Sequence, residues 1–393
     1  MSTLSRQLKE SWALVEDRAD QVAGYLYARL FLVRPELREM FSLHMDQQRE
    51  RFVTALVRAI QVVDSVEQFD GLLRQLGRDH RKYGVRSEHY QVFGDCLIEA
   101  VRAHSGTEWT AEHARAWREG YHAIADRMLA GASDDAHNPA YWDAEVVGHE
   151  RRSAEVAVIT VRPATPLPYR AGERVSVESP YQPRNWRPYP VGNAPRPDGT
   201  LDFHVRAAGS CVVSSSLVWK LRVGDVVRLG PASTGLRLDL ASPRDLVCVA
   251  GGVGLAPIKA LVEELAKTNR TRWVHVFFGA RGRDGLYDLP ALRELAARCP
   301  WLSLVPAVSH EPDAGTAAPA LPASAPAAAG GSGRSPGGEE HGLISDVVAS
   351  YGPWDSHDFY VCGSSSMVNA TLAKLRELQV PPTRINHDVL TAR

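Results

Sequence analysis

"DLVCVAGGVGLAPIKALVEELAK", Asp245 to Lys267, decides the C-terminal part of the fold. An apolar run of strand length enters Gly251-Gly252-Val253-Gly254, and a helical pattern with Pro257 near its first turn leaves it. Glycines let a ligand approach the backbone, and the free N–H groups of a helix start favour phosphate oxygens. The pattern is GxGxxP rather than GxGxxG, and the next strand, "WVHVFFGA", is followed by Arg281 with no acidic residue at its end. A standard Rossmann dehydrogenase is therefore disfavoured. Strands and helices then alternate through "LPALRELAARC", "LSLVPAV", "DFYVCG" and "SMVNATLAKLREL", which predicts an α/β unit with a parallel sheet. The strand end "FYVCGSSSM" places Cys362 and Gly363 before a helix start, where ligands of open α/β sheets sit, so the two strand ends predict one crevice. Arg281 and Arg283 stand where a 2′-phosphate could be met, and the choice between NADH and NADPH stays open. The Ala/Pro/Gly/Ser tract from Glu311 to Glu340 has no residues for a core and reads as a disordered surface loop.

Upstream the texture changes twice. Between about Trp142 and Ser242 the chain consists of short β-type runs, "AEVAVITVRP", "ERVSVESP", "TLDFHVRA" and "VSSSLVWKLRVGDVVRLGPASTG", divided by Pro/Gly turns. This predicts an antiparallel barrel or sandwich. From Leu4 to about Ala130 apolar residues recur at helical spacing, and the prediction is all helix. A length of 393 residues suits two or three domains, and a formal net charge of −1 without a Lys/Arg-rich run argues against nucleic acid. No apolar run is long enough to cross a bilayer and the charged N-terminus is unlike a signal peptide, which predicts a cytoplasmic protein. Five scattered cysteines, Cys96, Cys211, Cys248, Cys299 and Cys362, indicate reduced thiols and neither a disulfide framework nor a zinc site.

In "NWRPYPVGNAP", Arg187 and Tyr189 are two apart on an extended segment, so guanidinium and ring share a face and can serve one ligand. With "VGDVVRLGPASTG", "AGGVGLAPIKALVEEL", "FFGARGRDGLYDL" and "FYVCGSSSMV", residues 141–393 resemble the ferredoxin-reductase-like flavoproteins. That resemblance implies FAD on the barrel, with Arg187 on its pyrophosphate and Tyr189 on its ring, and NAD(P)H on the α/β domain. Departures gather where the flavin would sit. Pro190 replaces the motif's serine, Glu173-Arg174 replaces Gln-Tyr, Ser210-Cys211 replaces a Gly-Gly pair, and Leu390 stands at an aromatic position, while Ser214 keeps its hydroxyl.

In "GLLRQLGRDHRKYGV", Leu72, Leu76 and His80 recur every four residues, which predicts His80 on the apolar face at a helix end, where a neutral imidazole can ligate iron. "YLYARLFLVRPELREMF", "DQQRERFVTALVRAI", "LGRDHRKYGVRSEHYQVFGDCLIEAV" and "AWREGYHAIADRML" resemble the globin of the flavohaemoglobin family. The resemblance implies haem b on His80, Phe41 wedging the haem, Tyr27 and Gln48 on the distal side, Phe52 restricting access, and Tyr90 in the hydrogen-bond shell of His80. For the family's proximal carboxylate the candidates are Asp134 and Asp135, with Asp134 taken first.

The implied architecture is multidomain: an all-α globin over 1–137, an antiparallel β-barrel FAD domain over 141–242, and an α/β parallel-sheet NAD(P)H domain over 243–393 with the insert at 311–340. The implied activity is nitric oxide dioxygenase, using O₂ and NAD(P)H, with electrons passing from NAD(P)H through FAD to haem and nitrate as product. Two alternatives accompany it: a haem-based sensor whose flavin half is impaired, and an NAD(P)H-dependent flavin oxidoreductase with another acceptor.

Overall fold

The computed structural model describes residues 2–42, 45–209, 211–269, 271–310 and 338–390. The chain divides into two compact units, one over Met1–Trp142 and one from Asp143 onward apart from the turn Pro183–Asn185. The first is helical: α1 (Thr3–Ala13), α2 (Ala19–Val33), α3 (Asp46–Val62), α4 (Asp70–Arg81), α5 (Ser87–Ser105) and α6 (Ala111–Asp134). Ser2 caps α1 by accepting from the Ser5 N–H, and Thr110 caps α6 through His113, so each helix starts where a side chain satisfies an orphan donor. Trp12, Leu26, Leu30, Val101 and Trp117 form its core. At two glycines the contact of α4 with α6 brings backbone against backbone. A Cβ on Gly77 would fall on the Met128 carbonyl, and one on Gly131 would fall on the Arg74 backbone.

The second unit begins with β1 (Trp142–Arg151), β2 (Val156–Pro163), β3 (Arg174–Glu178), β4 (Trp186–Pro190), β5 (Leu201–Arg206), α7 (Val212–Trp219) and β6 (Val226–Ser233). Their sheet has the order β4-β3-β6-β1-β2-β5, and a bridge from Val191 to Phe203 joins its two ends into a barrel. The segment "VVSSSLVW", expected as strand, is the helix α7. Its β-branched residues suggested extended chain, yet Val213 and Leu217 are four apart and both are buried, the spacing of one helix face.

The remainder is β7 (Asp245–Gly251), α8 (Leu255–Thr268), β8 (Val274–Ala280), α9 (Leu289–Arg298), β9 (Leu302–Val308), β10 (Glu340–His341), α10 (Ile344–Ser350), β11 (His357–Gly363), α11 (Ser365–Glu377) and β12 (Ile385–Val389). The strands pair in parallel in the order β10-β9-β8-β7-β11-β12. Most of the tract expected to be disordered, 311–337, lies outside the described residues, but Glu340 belongs to β10, so that expectation ran too far at its C-terminal end. No helix among the described residues is long and apolar enough to cross a membrane.

Within this unit the barrel and the parallel sheet share a core: Val156 and Val158 pack in one cluster with Ile258, Leu261 and Leu265. Polar groups are sealed beside it. The His204 imidazole, 3% exposed, bonds through Nδ1 to the Tyr287 hydroxyl at 2.7 Å, and Lys259 holds the buried Asp288 at 2.7 Å. Burial, with the cations of Lys259, Arg152 and Arg196 outweighing the Asp202 carboxylate, holds His204 down to about 3. An unfolded histidine takes its proton near pH 6.5, so between those values the proton binds only the unfolded chain and stability falls as pH falls, by up to about 1.4 kcal/mol per pH unit. The urea midpoint of the second unit is expected to drop between pH 7 and pH 5, and His204→Phe is expected to flatten that drop. Parallel pH profiles for the two proteins would remove His204 as the cause.

Candidate functional site

In the helical unit, α2 and α3 bring Tyr27 and Gln48 together. Gln48 Nε2 donates to the Tyr27 oxygen at 3.0 Å. Among the described residues no acceptor takes the Tyr27 proton, so that O–H remains a donor. Around it stand Phe41, Phe52, Phe31 and Phe93, with ring centroids 5.4, 5.9, 6.1 and 6.5 Å from Tyr27. Burial pushes the Tyr27 phenol up to about 12, only partly offset by the Gln48 bond, so it is a neutral donor at any ordinary pH. A hydrogen-bonded polar pair in an aromatic enclosure can orient a small polarisable molecule.

His80 lies in the last turn of α4, half-buried. Its Nδ1 is 2.8 Å from the Leu76 carbonyl, which fixes Nδ1 as the protonated nitrogen and leaves Nε2 as the lone-pair donor. Burial lowers its pKa from the ordinary value, which keeps the imidazole neutral. Leu72, Leu76 and His80 share one face of α4, and the fully buried residue of the helix is Gly77. Gly77 is where α4 comes closest to the backbone of α6. Among the described residues the buried Tyr90 hydroxyl has no hydrogen-bond partner, and burial raises it to about 12.

At the parallel sheet, β7 and β11 are neighbours, and the connections after them run to opposite sides, β7 through α8 to β8 and β11 through α11 to β12. Their C-terminal ends therefore flank the switch point where open α/β sheets take ligands. Gly251 and Gly254 lie at one lip, Cys362 and Gly363 at the other. A Cβ on Gly254 would collide with the Cys362 carbonyl, and one on Gly251 would come within 2.6 Å of Met367, while Gly252 has a left-handed φ of 53° and open space before it. Pro257 is buried in the first turn of α8. Burial pushes the Cys362 thiol up to about 12, so it is an inert small side chain. Leu390 donates its N–H to the Gly363 carbonyl at 2.9 Å and so closes the same end of the sheet.

On the barrel, Arg187 and Tyr189 pair in register with Val177 and Val175, so they do share a face. The Tyr189 ring lines a narrow interior space with Val177, Phe203, Val205 and Leu217, its centroid 6.5 Å from Phe203, and burial raises its phenol. Ser214 is turned to the start of α7, accepting from the Ala208 N–H and donating to the Cys211 carbonyl, both at 3.1 Å. Burial pushes the Cys211 thiol up, but the Ser214 and Val213 groups and the Arg187 cation outweigh it and lower it overall. The start of α7 with Arg187 thus presents a positive potential.

A family model described as Globin matches residues 25–128, and one described as Oxidoreductase NAD-binding domain matches residues 248–321. Flavohaemoproteins of Bacillus subtilis and Pseudomonas putida are 24% and 25% identical to this chain, each over 97% of it and 95% of their own length. Along its whole length the chain matches flavohaemoproteins, with a globin part followed by an NAD-binding oxidoreductase part. The flavohaemoprotein of Bordetella pertussis is 27% identical over 75% of this chain and 78% of its own. The flavohaemoglobin of Malassezia yamatoensis, solved with FAD and haem, superposes with a TM-score of 0.77 over 99% of both chains at 17% identity, which shows the same fold.

The two candidates for the proximal carboxylate are bound to other partners. Asp134, taken as the proximal carboxylate, is 66% exposed and bonded to Arg74 at 2.5 Å, and Asp135 is held by Arg81 at 2.6 Å. Both follow the last turn of α6 toward arginines of α4, and His80 takes a backbone carbonyl instead. Arg283 is paired with Glu339 at 2.7 Å. Sequence reasoning passed over Phe31 and Phe93 of the distal enclosure, although Phe31 follows Tyr27 by one helical turn. It also passed over the ion pair between Arg174 and Asp388, 214 positions apart, which no local pattern announces.

Proposed function

We propose that this chain oxidises nitric oxide to nitrate with O₂ and NAD(P)H, as a nitric oxide dioxygenase built from a haem globin and an FAD-dependent reductase half. The observation that carries the proposal is the Tyr27–Gln48 pair, a neutral O–H donor held by an amide inside four phenylalanine rings. The residues fit the cofactors. Nε2 of His80 is the nitrogen left for iron, Phe41 and Phe52 wall the distal side, and the unpartnered Tyr90 hydroxyl supplies a further polar contact. Arg187 with the start of α7, beside Ser214, suits the FAD diphosphate, and Gly251, Gly252, Gly254, Pro257, Cys362 and Gly363 suit the dinucleotide. When bound, haem supplies O₂ binding, FAD the electron relay, and NAD(P)H the reducing equivalents. Tyr27 would donate a hydrogen bond to a small ligand in the enclosure, Gln48 would hold the phenol in place, and the phenylalanines would exclude water. Fixed donors in a dry enclosure stabilise developing negative charge without reorganisation.

One observation favours a second reading, a haem-based sensor with a silent reductase half. Tyr189 turns into the barrel, and Pro190 offers no donor where the flavin edge would lie.

The purified protein should show haem and flavin bands together, and should consume NADH or NADPH in air at a rate that rises with added NO and yields nitrate. Tyr27→Phe should lower that NO-dependent rate by about 10²-fold or more. Haem without flavin, together with nucleotide consumption indifferent to NO, would give first place to the sensor.

A further inference from the structure

The Arg174 side chain leaves the first residue of β3 and crosses from the barrel to the end of the parallel sheet. Its Nε donates to Asp388 Oδ2 at 2.8 Å, its Nη2 meets the other oxygen of the same carboxylate, and Nη2 also lies 3.5 Å from the Val389 carbonyl. The two side chains are 22% and 12% exposed. A two-pronged guanidinium–carboxylate bond fixes direction as well as distance.

Its place in the fold gives it a task. Asp388 is the register partner of Cys362, and Val389 of Gly363, so the pair sits at the strand ends that form one lip of the crevice. In the barrel, Arg174 is the register partner of Pro190 on one side and Ser233 on the other. Among the described residues β12 is an edge strand of five residues with β11 as its single sheet neighbour, and Leu390 follows it directly. An edge strand paired on one side is held weakly at its end. Here the guanidinium of another sheet holds it.

We propose that Arg174 and Asp388 form a positioning pair that fixes the slot for the nicotinamide end of the dinucleotide, between the barrel rim at Pro190 and the strand end at Cys362, Gly363 and Leu390. The proposal rests on the reading that the crevice takes a nicotinamide dinucleotide. The diphosphate end is anchored separately, by the backbone at Gly251–Gly254 and the start of α8. A ligand held at one end by backbone and at the other by two walls depends on the spacing of those walls for its reactive geometry. Small misplacements there cost rate far more than binding.

The test compares two probes on the full chain carrying its cofactors. ADP-ribose, which lacks the nicotinamide ring, reports the diphosphate anchor by calorimetry, and stopped-flow flavin reduction by saturating NADH or NADPH reports the slot. Asp388→Asn and Arg174→Met are each expected to slow flavin reduction about tenfold or more while ADP-ribose affinity changes less than about twofold. Arg174→Lys, which keeps the charge and loses the fork, should recover part of the rate. Equal losses for both probes would reduce the pair to a general brace of the fold, and unchanged flavin reduction would remove the proposal outright. If the unaltered protein binds no ADP-ribose, the dinucleotide reading itself fails, whatever the variants do.

Discussion

His80→Ala is expected to purify without haem while keeping its reductase activity. The expectation follows from how the two ring nitrogens are used. Nδ1 is committed to the Leu76 carbonyl one turn earlier, which sets the tautomer and the ring plane, and Nε2 is left with its lone pair. Burial keeps that lone pair unprotonated. Loss of an outer partner of a metal-bound histidine typically costs about 10- to 100-fold in affinity, and loss of the ligand itself should cost more. The haem absorption band should be absent after purification and should not return on reconstitution with haemin. Because the globin and the rest of the chain are separate compact units, NAD(P)H-dependent reduction of ferricyanide should stay within about twofold of the unaltered protein. A normal haem band in the variant would assign iron to another group, and loss of both activities would mean that the substitution damages the whole chain.

The three textures of the chain carry the architecture because each is a periodicity: helical to α6, extended with Pro/Gly turns through the barrel, alternating thereafter. Periodicity also placed Tyr27 and Gln48 correctly on helices. It failed where identity, rather than spacing, misled. The run "VVSSSLVW" is rich in β-branched residues and still winds into α7, because the closed barrel buries Val213 and Leu217 on one face. On α4 the spacing of Leu72, Leu76 and His80 set one face, while the glycine that meets α6 lies off it. Glycine adds nothing to a hydrophobic pattern, so a contact made of backbone is silent in sequence. Partners distant along the chain were silent too. Asp134 lies where a proximal carboxylate was expected, but Arg74 of α4 takes it, and that choice depends on how α4 crosses α6. Arg187 and Tyr189 could be put on one face from their spacing, whereas the side of the sheet that became the barrel interior was set by Val175 and Val177 across the ladder.

That silent glycine carries the other large effect. Gly77→Ala is expected to destabilise the globin unit by about 3 kcal/mol and to loosen its haem, because overpacking typically costs about 1–3 kcal/mol and here the obstacle is the Met128 carbonyl rather than a flexible side chain. Alanine has the better helix propensity, by about 1 kcal/mol, so the backbone collision must exceed that gain for the sign to hold. Gly24 tests the sign within the same protein. It lies in the interior of α2 with nothing within 4 Å of the Cβ it lacks, and there propensity acts alone. Gly24→Ala should stabilise by about 0.5–1 kcal/mol. Gly77 precedes His80 by three residues on one short helix, so relief of the clash has to move α4 away from α6 and carry the imidazole with it. Denaturant midpoints and haem dissociation rates would show both consequences at once. If Gly77→Ala behaved as Gly24→Ala does, α4 would be free to shift without cost, and His80 would owe its position to the haem it holds rather than to α6.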